Sequence, residues 1–355
     1  MTARITTPVT VITGFLGSGK TTLVNRILQE SHDQRLAVIE NEFGAVGVDA
    51  EFLVTESNET VIQLANGCLC CSVRGDLARA LHELAQRSDQ GEFVFDRVLI
   101  ETTGIADPGP IIQTFLAETE ILTRYHLDGV VALVDAVHGA AQLHQVENRA
   151  QVAYADRIPL TKCDLAAPAQ QDALSKDLGH MNPRAQLLPI DLHHALVPAL
   201  LGLLFDTGGY SLDYVARDEL KRLTARAPLL TGSTTPRLRN VTSPVHTQDI
   251  VSCVFESATA LDLDLLNAFF DAAQKRYGAR LWRYKGVIYA KHQRPRLVVQ
   301  GVQSLLQITG GTVWRAFEPK RTVLVFIGQA LEPTWIRDAL QACTATSDAP
   351  SAVSA

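Results

Sequence analysis

Directly after the apolar run VTVIT at 9–13 the chain reads Gly14-Phe15-Leu16-Gly17-Ser18-Gly19-Lys20-Thr21-Thr22. This fits G-x-x-x-x-G-K-[ST] in a strand, loop, helix setting, the spacing of a loop that cradles phosphates. Gly14, Gly17 and Gly19 free the backbone so that N–H groups, that of Ser18 among them, turn inward around phosphate oxygens. The following helix adds its positive end. Lys20 then reaches the β- and γ-phosphates, and the Thr21 hydroxyl can ligate Mg²⁺. A nucleoside triphosphate is the expected ligand, with Lys20 among the catalytic groups.

Two further segments refine that expectation. Glu101-Thr102-Thr103-Gly104 follows the run RVLI, where a phosphate-loop protein places an acidic Mg²⁺ partner and a glycine that senses the γ-phosphate. Glu101 and Gly104 therefore join Lys20 as catalytic candidates. The next residue is Ile105, where small signalling GTPases use a Gln to orient the attacking water, so intrinsic turnover should be slow unless Asp107, a metal or a partner helps. Thr161-Lys162-Cys163-Asp164 follows a later strand and approximates N-K-x-D. Asp164 would accept hydrogen bonds from the guanine N1–H and exocyclic amine, which adenine does not supply, so Lys162 and Asp164 point to guanine.

Gly67-Cys68-Leu69-Cys70-Cys71 is the densest chemical feature of the chain. Three thiols just before a helix N-terminus favour thiolates. Thiolates suit Zn²⁺ or another transition metal, with a fourth ligand from elsewhere. Between this segment and the phosphate loop lies Glu40-Asn41-Glu42-Phe43-Gly44, with Asp49 beyond; Glu42 is the expected carboxylate ligand for one of the two metals. His193, His194 and His246 are weaker metal candidates, and Cys163, Cys253 and Cys343 read as packing residues. Trp282, Trp314 and Trp335 read as core or interface anchors. The runs Arg283-Tyr284-Lys285-Gly286 and Gln300-Gly301-Val302 suggest no chemistry.

The elements that must hold these residues follow from pattern. The 355 residues, 46% apolar, suffice for about two domains and exclude general disorder. With 32 Lys and Arg against 38 Asp and Glu, the net charge of −6 offers no basic field for nucleic acid or an anionic membrane. No export signal or membrane-spanning run is read, so the expected location is cytoplasmic, where six cysteines stay reduced. β-branched runs at 9–13, 36–40, 61–64, 97–101, 129–135, 156–161 and 186–190 alternate with amphipathic segments. They predict an α/β fold, a doubly wound, mostly parallel sheet over residues 1–207 with the CxCC motif inside it. Residues 208–247 read as a linker and 248–342 as a smaller C-terminal α+β domain. That domain has strands at 250–256, around 282–289, 296–308 and 322–327, and helices at 261–277 and 333–342; 343–355 read as a disordered tail.

GFLGSGKTT, ENEFG, GCLCC, ETTGIADP and TKCD in this order, with RYKG, QGVQ and FIG downstream, resemble the CobW-like family of P-loop GTPases of the metallochaperone type, most closely its YjiA-type branch. The resemblance covers nearly the whole chain. It implies phosphate binding at Gly17, Gly19, Lys20, Thr21 and Thr22, base recognition at Lys162 and Asp164, and metal at Cys68, Cys70 and Cys71. It further implies a GTPase whose nucleotide state controls capture of Zn²⁺ and delivery to a client metalloprotein. Thr161 departs from the family's Asn, and the linker lacks the His-rich stretch of some members. Two alternatives stand beside this reading: a metal or redox sensor that binds GTP without useful turnover, and a cobalt or nickel insertion GTPase. Oligomeric state is not legible.

Overall fold

The structure, a computed structural model, describes residues 6–30, 34–42, 51–54, 60–65, 72–92, 94–210, 237–241, 250–316 and 318–344. At 40–42, 51–54, 60–65, 72–74 and 237–241 it describes the backbone alone. The chain divides into two units, Met1–Tyr214 with Thr242–Ile250, and Val215–Val241 with Val251–Ala355.

In the first unit the β-branched runs become β1 (Thr7–Gly14), β2 (Leu36–Glu42), β4 (Thr60–Ala65), β5 (Arg97–Glu101), β6 (Tyr125–Asp135), β7 (Arg157–Thr161) and β8 (Gln186–Pro189). β3 (Glu51–Val54) is an additional edge strand. The order across the sheet is β3-β4-β2-β5-β1-β6-β7-β8. Every pairing is parallel except β3 with β4. Between them run α1 (Lys20–Gln29), α2 (Ser72–Asp89), α3 (Gly109–Ala117), α4 (Thr119–Arg124), α5 (Gly139–Gln142), α6 (Val146–Tyr154), α7 (Pro168–Met181) and α8 (Val197–Leu204).

Period-two alternation along β6 shows how both faces are covered. Val131 and Leu133 pack with Leu23, Val24 and Ile27 of α1 and Leu200, Leu201 and Leu204 of α8. Ala132 and Val134 face the other way, onto Val152 of α6 and Leu174 and Leu178 of α7. A parallel strand buried on both sides must be apolar throughout, which is why GVVALVD has no polar alternation. Leu77, Leu81 and Leu84 of α2 are buried, as their spacing requires.

At the amino ends of the central strands Arg97 and Asp128 form a buried ion pair. Arg97 Nη1 donates to Asp128 Oδ2 and to Thr10 Oγ1, both at 2.8 Å, while Nη2 meets Asp206. Asp128 in turn accepts from Gly208 N at 2.9 Å, so the pair anchors the chain where it leaves α8.

The second unit holds a six-stranded antiparallel sheet, order β13-β12-β11-β14-β10-β9. Its strands are β9 (Arg237–Val241), β10 (Ile250–Ser257), β11 (Leu281–Ile288), β12 (Pro295–Val302), β13 (Leu305–Val313) and β14 (Thr322–Gln329). Helices α9 (Leu263–Tyr277) and α10 (Pro333–Ala342) complete it. Asp262 caps α9 by accepting from Asp264 N and Leu265 N. Leu266, Phe269, Phe270, Ala273 and Tyr277 bury its inner face, whereas Leu265 points outward. Three boundaries differ from the sequence reading. β9 falls inside the expected linker and pairs with β10. The expected run 296–308 is a hairpin that turns at Gln303, φ 51°. Cys343 is buried and its carbonyl accepts from Asp262 N at 2.9 Å, so it belongs to the fold rather than the tail. The RYKG and QGV runs are explained by register: Tyr284 opposes Gly301. A Cβ at Gly301 would stand 2.0 Å from the Tyr284 ring. Among the described residues no helix is long and apolar enough to cross a membrane.

Candidate functional site

The carboxyl ends of β4, β2, β5, β1, β6 and β7 lie in that order along one edge of the sheet, where open α/β sheets bind ligands. The strand that leads into each motif of the first unit ends there. Gly14 ends β1 at φ 142°, and a Cβ on it would sit 2.3 Å from the Leu133 carbonyl. Only glycine lets the loop begin this close to β6. Phe15 N donates to Leu133 O at 3.2 Å, Ser18 N returns to Phe15 O at 3.1 Å, and Gly19 precedes α1 in a left-handed conformation, φ 97°.

Lys20 is buried and folds over the loop, its ammonium donating to Gly14 O at 3.0 Å and Phe15 O at 3.1 Å. Burial lowers its pKa, and the nearby Glu101 carboxylate opposes that shift. Thr21 Oγ1 donates to Glu101 Oε1 at 2.8 Å, which puts two hard oxygen donors side by side at the start of α1. Thr22 lies beside them on α1 with an exposed side chain. Thr102 N donates to Ile12 O at 2.9 Å and its hydroxyl reaches Thr13 Oγ1 at 2.8 Å, so the ETTG segment is fastened to β1. Gly104 presses on the phosphate loop: a Cβ there would stand 2.8 Å from Leu16 Cα. Ile105 is 57% exposed and has no polar atom to offer a water. Asp107 Oδ1 accepts from Gly109 N at 2.8 Å, which uses that oxygen on the turn into α3.

The TKCD segment is tied to the same loop. Thr161 is fully buried, and its hydroxyl donates to Ser18 O at 2.8 Å. Lys162, at φ 56°, donates to Gly17 O at 2.8 Å and to Asp135 Oδ2 at 2.7 Å. Burial works to raise the Asp135 pKa, but Lys162 and the N–H groups of Val137 and His138 outweigh it and hold the carboxylate below its ordinary range. Asp164 stands exposed beyond this tether. Cys163 Sγ lies 3.4 Å from Leu160 O, and burial and then Asp164 raise its pKa, which keeps it a thiol.

Sequence reasoning missed four residues of this neighbourhood: Asp135, Gln142, Asn148 and Gln151. Gln142 Nε2 donates to Leu16 O at 2.9 Å, and Gln151 Nε2 donates to Gly104 O at 3.3 Å and Ala106 O at 3.0 Å. Asn148 Nδ2 donates to Gln142 O at 2.9 Å. An Asp ending an otherwise apolar strand was the one available signal, for Asp135.

Cys68, Cys70, Cys71, Phe43, Gly44, Asp49 and His246 lie outside the described residues, and of Glu40 and Glu42 only the backbone is described. Their flanks are nonetheless placed by strand register. Ala65, three residues before Cys68, pairs with Glu42; Glu40 pairs with Glu101; Glu101 pairs with Ile12. β2 thus separates β4 from β5, and β4 is three strand spacings from β1, about 14 Å. His193 and His194 are exposed near α1, His194 Nδ1 lying 2.8 Å from Asp191 Oδ2. Among the described residues no cluster of three His, Cys, Asp or Glu is arranged to hold a metal.

Comparison with known proteins agrees with this layout. The CobW/HypB/UreG nucleotide-binding domain matches residues 8–189, and the cobalamin synthesis protein CobW C-terminal domain matches residues 250–344. The zinc chaperone YjiA of Escherichia coli is 40% identical over 332 residues, 93% of this chain and 96% of YjiA. The zinc chaperone CobW of Pseudomonas aeruginosa is 30% identical over 95% of this chain and 92% of its own. The Zn(II)-bound YjiA GTPase from E. coli superimposes with a TM-score of 0.74 at 34% identity, covering 96% of this chain and all of that one. With a parallel sheet presenting the phosphate loop, a separate antiparallel sheet domain and these matches across nearly its full length, the chain belongs to the CobW/HypB/UreG family, of the YjiA type.

Proposed function

We propose that the chain is a slow GTPase and metallochaperone in which nucleotide state controls capture of Zn²⁺ and its delivery to a client metalloprotein. The supporting observation is strand adjacency. The strand that runs into the cysteine segment pairs with the one that ends at Glu42, and that strand pairs with the one that ends at Glu101. The strand that precedes the three thiols thus ends two strands from the one that ends at Glu101.

GTP would lie along the loop from Gly14 to Thr22. Lys20 would exchange the carbonyls of Gly14 and Phe15 for phosphate oxygens, a better partner for a partly desolvated ammonium. Thr21 and Glu101 would hold Mg²⁺, which would offset the charge of the phosphates. Asp164 would accept from guanine, while Thr161 and Lys162 hold the base loop against the phosphate loop. Gly104 would meet the γ-phosphate. Ile105 cannot orient water, so turnover is slow. Cys68, Cys70 and Cys71, with Glu42 as the carboxylate, would take Zn²⁺ as cargo; thiolate and carboxylate donors fit it. Loss of the γ-phosphate would relax the ENEFG and ETTG loops and loosen that site.

The test is single-turnover GTP hydrolysis with and without Zn²⁺, against Lys20→Ala. Slow wild-type hydrolysis that responds to Zn²⁺ supports the reading. A wild-type rate equal to that of Lys20→Ala overturns the GTPase and leaves a GTP-binding sensor. A response to Co²⁺ or Ni²⁺ but not Zn²⁺ overturns the choice of metal.

A further inference from the structure

The turn that abuts the phosphate loop is held from behind by a side chain no motif contains. Ala106 N donates to Thr103 O at 3.2 Å, which closes a turn with Gly104 and Ile105 at its centre. On one side this turn presses on Leu16. On the other, Gln151 of α6 gives both hydrogens of its amide to it, one to Gly104 O and one to Ala106 O.

Two facts show that this contact is more than packing. Gln151 is 0% exposed, and its Oε1 has no partner among the described residues. The amide therefore serves the two carbonyls of the turn while its own acceptor goes unpaired, so what it contributes here is its donor end. The two carbonyls also fix which end of the amide faces the turn, since neither can accept from oxygen. The same helical segment reaches the phosphate loop itself, through Gln142 to Leu16 O and Asn148 to Gln142 O. α5 and α6 thus brace both walls of the space where the γ-phosphate would lie.

The geometry points to Gln151 as the positioning residue of GTP hydrolysis, standing in for the side chain that Ile105 lacks. By fixing the carbonyls of Gly104 and Ala106 it sets the planes of the 104–105 and 106–107 peptides, and with them the direction of the Ile105 and Asp107 N–H groups of the turn that would meet the γ-phosphate. A site without a water-orienting Gln depends on that backbone for whatever transition-state stabilisation it has. Gln151 acts through the turn, its amide directed at the Gly104 and Ala106 carbonyls.

This inference rests on the GTPase reading, and the experiment separates the two. Gln151→Met keeps the volume and removes both donors; Gln151→Asn keeps the amide and withdraws it by one methylene. Each is compared with wild type and Lys20→Ala in single-turnover GTP hydrolysis, and in titrations with fluorescent GDP and a non-hydrolysable GTP analogue. Two hydrogen bonds of about 1 kcal/mol each correspond to a loss of roughly 30-fold in the Gln151→Met hydrolysis rate. The GTP analogue should bind several-fold more weakly and GDP within twofold of wild type, because only the γ-phosphate meets the turn. Should Gln151→Met not fold, Gln151→Asn must show the same split. Unchanged hydrolysis in a folded variant overturns the inference, as does an equal loss of GDP and GTP-analogue affinity, the mark of a merely structural role. A wild-type rate no faster than Lys20→Ala overturns the GTPase reading, and this inference with it.

Discussion

Thr161 occupies the place of an Asn in the guanine motif, and the structure gives it a different duty that substitution can measure. Its hydroxyl, wholly buried, donates to Ser18 O at 2.8 Å with a second carbonyl, Val134 O, at 3.4 Å. Thr161→Val keeps the shape of the side chain and opens no cavity, so the change isolates one hydrogen bond. An orphaned buried carbonyl costs about 1–3 kcal/mol. In a unit of this size that lowers the melting temperature by roughly 2–12 °C. Because Ser18 belongs to the phosphate loop and Thr161 to the base loop, part of the loss should appear in nucleotide binding, up to about 10-fold. GDP and GTP should weaken equally, since both use both loops. Thr161→Ser retains the donor and should stay close to wild type. Calorimetric melting and fluorescent GDP titration read the two effects. Wild-type behaviour of Thr161→Val refutes the tether, and a Thr161→Ser loss as large as that of Thr161→Val assigns the effect to the methyl group instead.

Other substitutions probe the frame around the site. Gly104→Ala places a methyl 2.8 Å from Leu16 Cα, so hydrolysis should fall at least about 10-fold with GDP affinity retained, read by single-turnover kinetics. Arg97→Met leaves Asp128 buried without its cation, and calorimetry should show a loss of about 3 kcal/mol, roughly 6–12 °C. The Asp191 carboxylate is held down to about 2 by the His193 N–H first and then by the His194 ring and N–H. Its contribution to the 191–195 turn is therefore present above the ordinary carboxylate value of 3.8 and lost as pH falls toward about 2. Carboxyl carbon NMR should place its midpoint near 2, and a midpoint near 4 would remove that hydrogen-bonded turn.

Much of this architecture could be read from residues, because buried parallel strands must be apolar throughout and a phosphate loop needs its glycines at fixed places. What escaped reading is long-range. Glu51–Val54 is too short and too polar at one end to announce an edge strand, and the turn at Gln303-Ser304 has neither Gly nor Asn to signal a hairpin. Asp135, Gln142, Asn148 and Gln151 are ordinary residues by type, and their roles exist only because the fold brings Asp135 to Lys162, Gln142 to the Leu16 carbonyl and Gln151 to the carbonyls of Gly104 and Ala106, with Asn148 holding the Gln142 carbonyl. The ENEFG, GCLCC and ETTG segments follow one another along the chain, but in the sheet the strand ending at Glu42 lies between the other two. Any influence of nucleotide on thiol-bound metal must then pass through or around Glu42, a consequence of strand order that motif spacing does not contain.

The central claim is that metal and nucleotide feel one another through these adjacent strand ends, and calorimetric titration of Zn²⁺ tests it most directly. Wild-type protein with GTP analogue, with GDP and with neither, and the Cys68→Ser/Cys70→Ser/Cys71→Ser variant, are compared. Zn²⁺ should bind tightest with the GTP analogue, by about 5-fold or more over GDP, and Zn²⁺ should enhance analogue affinity by an equal factor. In the triple variant the nucleotide dependence should vanish. Equal Zn²⁺ affinity in all three nucleotide states of the wild type would contradict it.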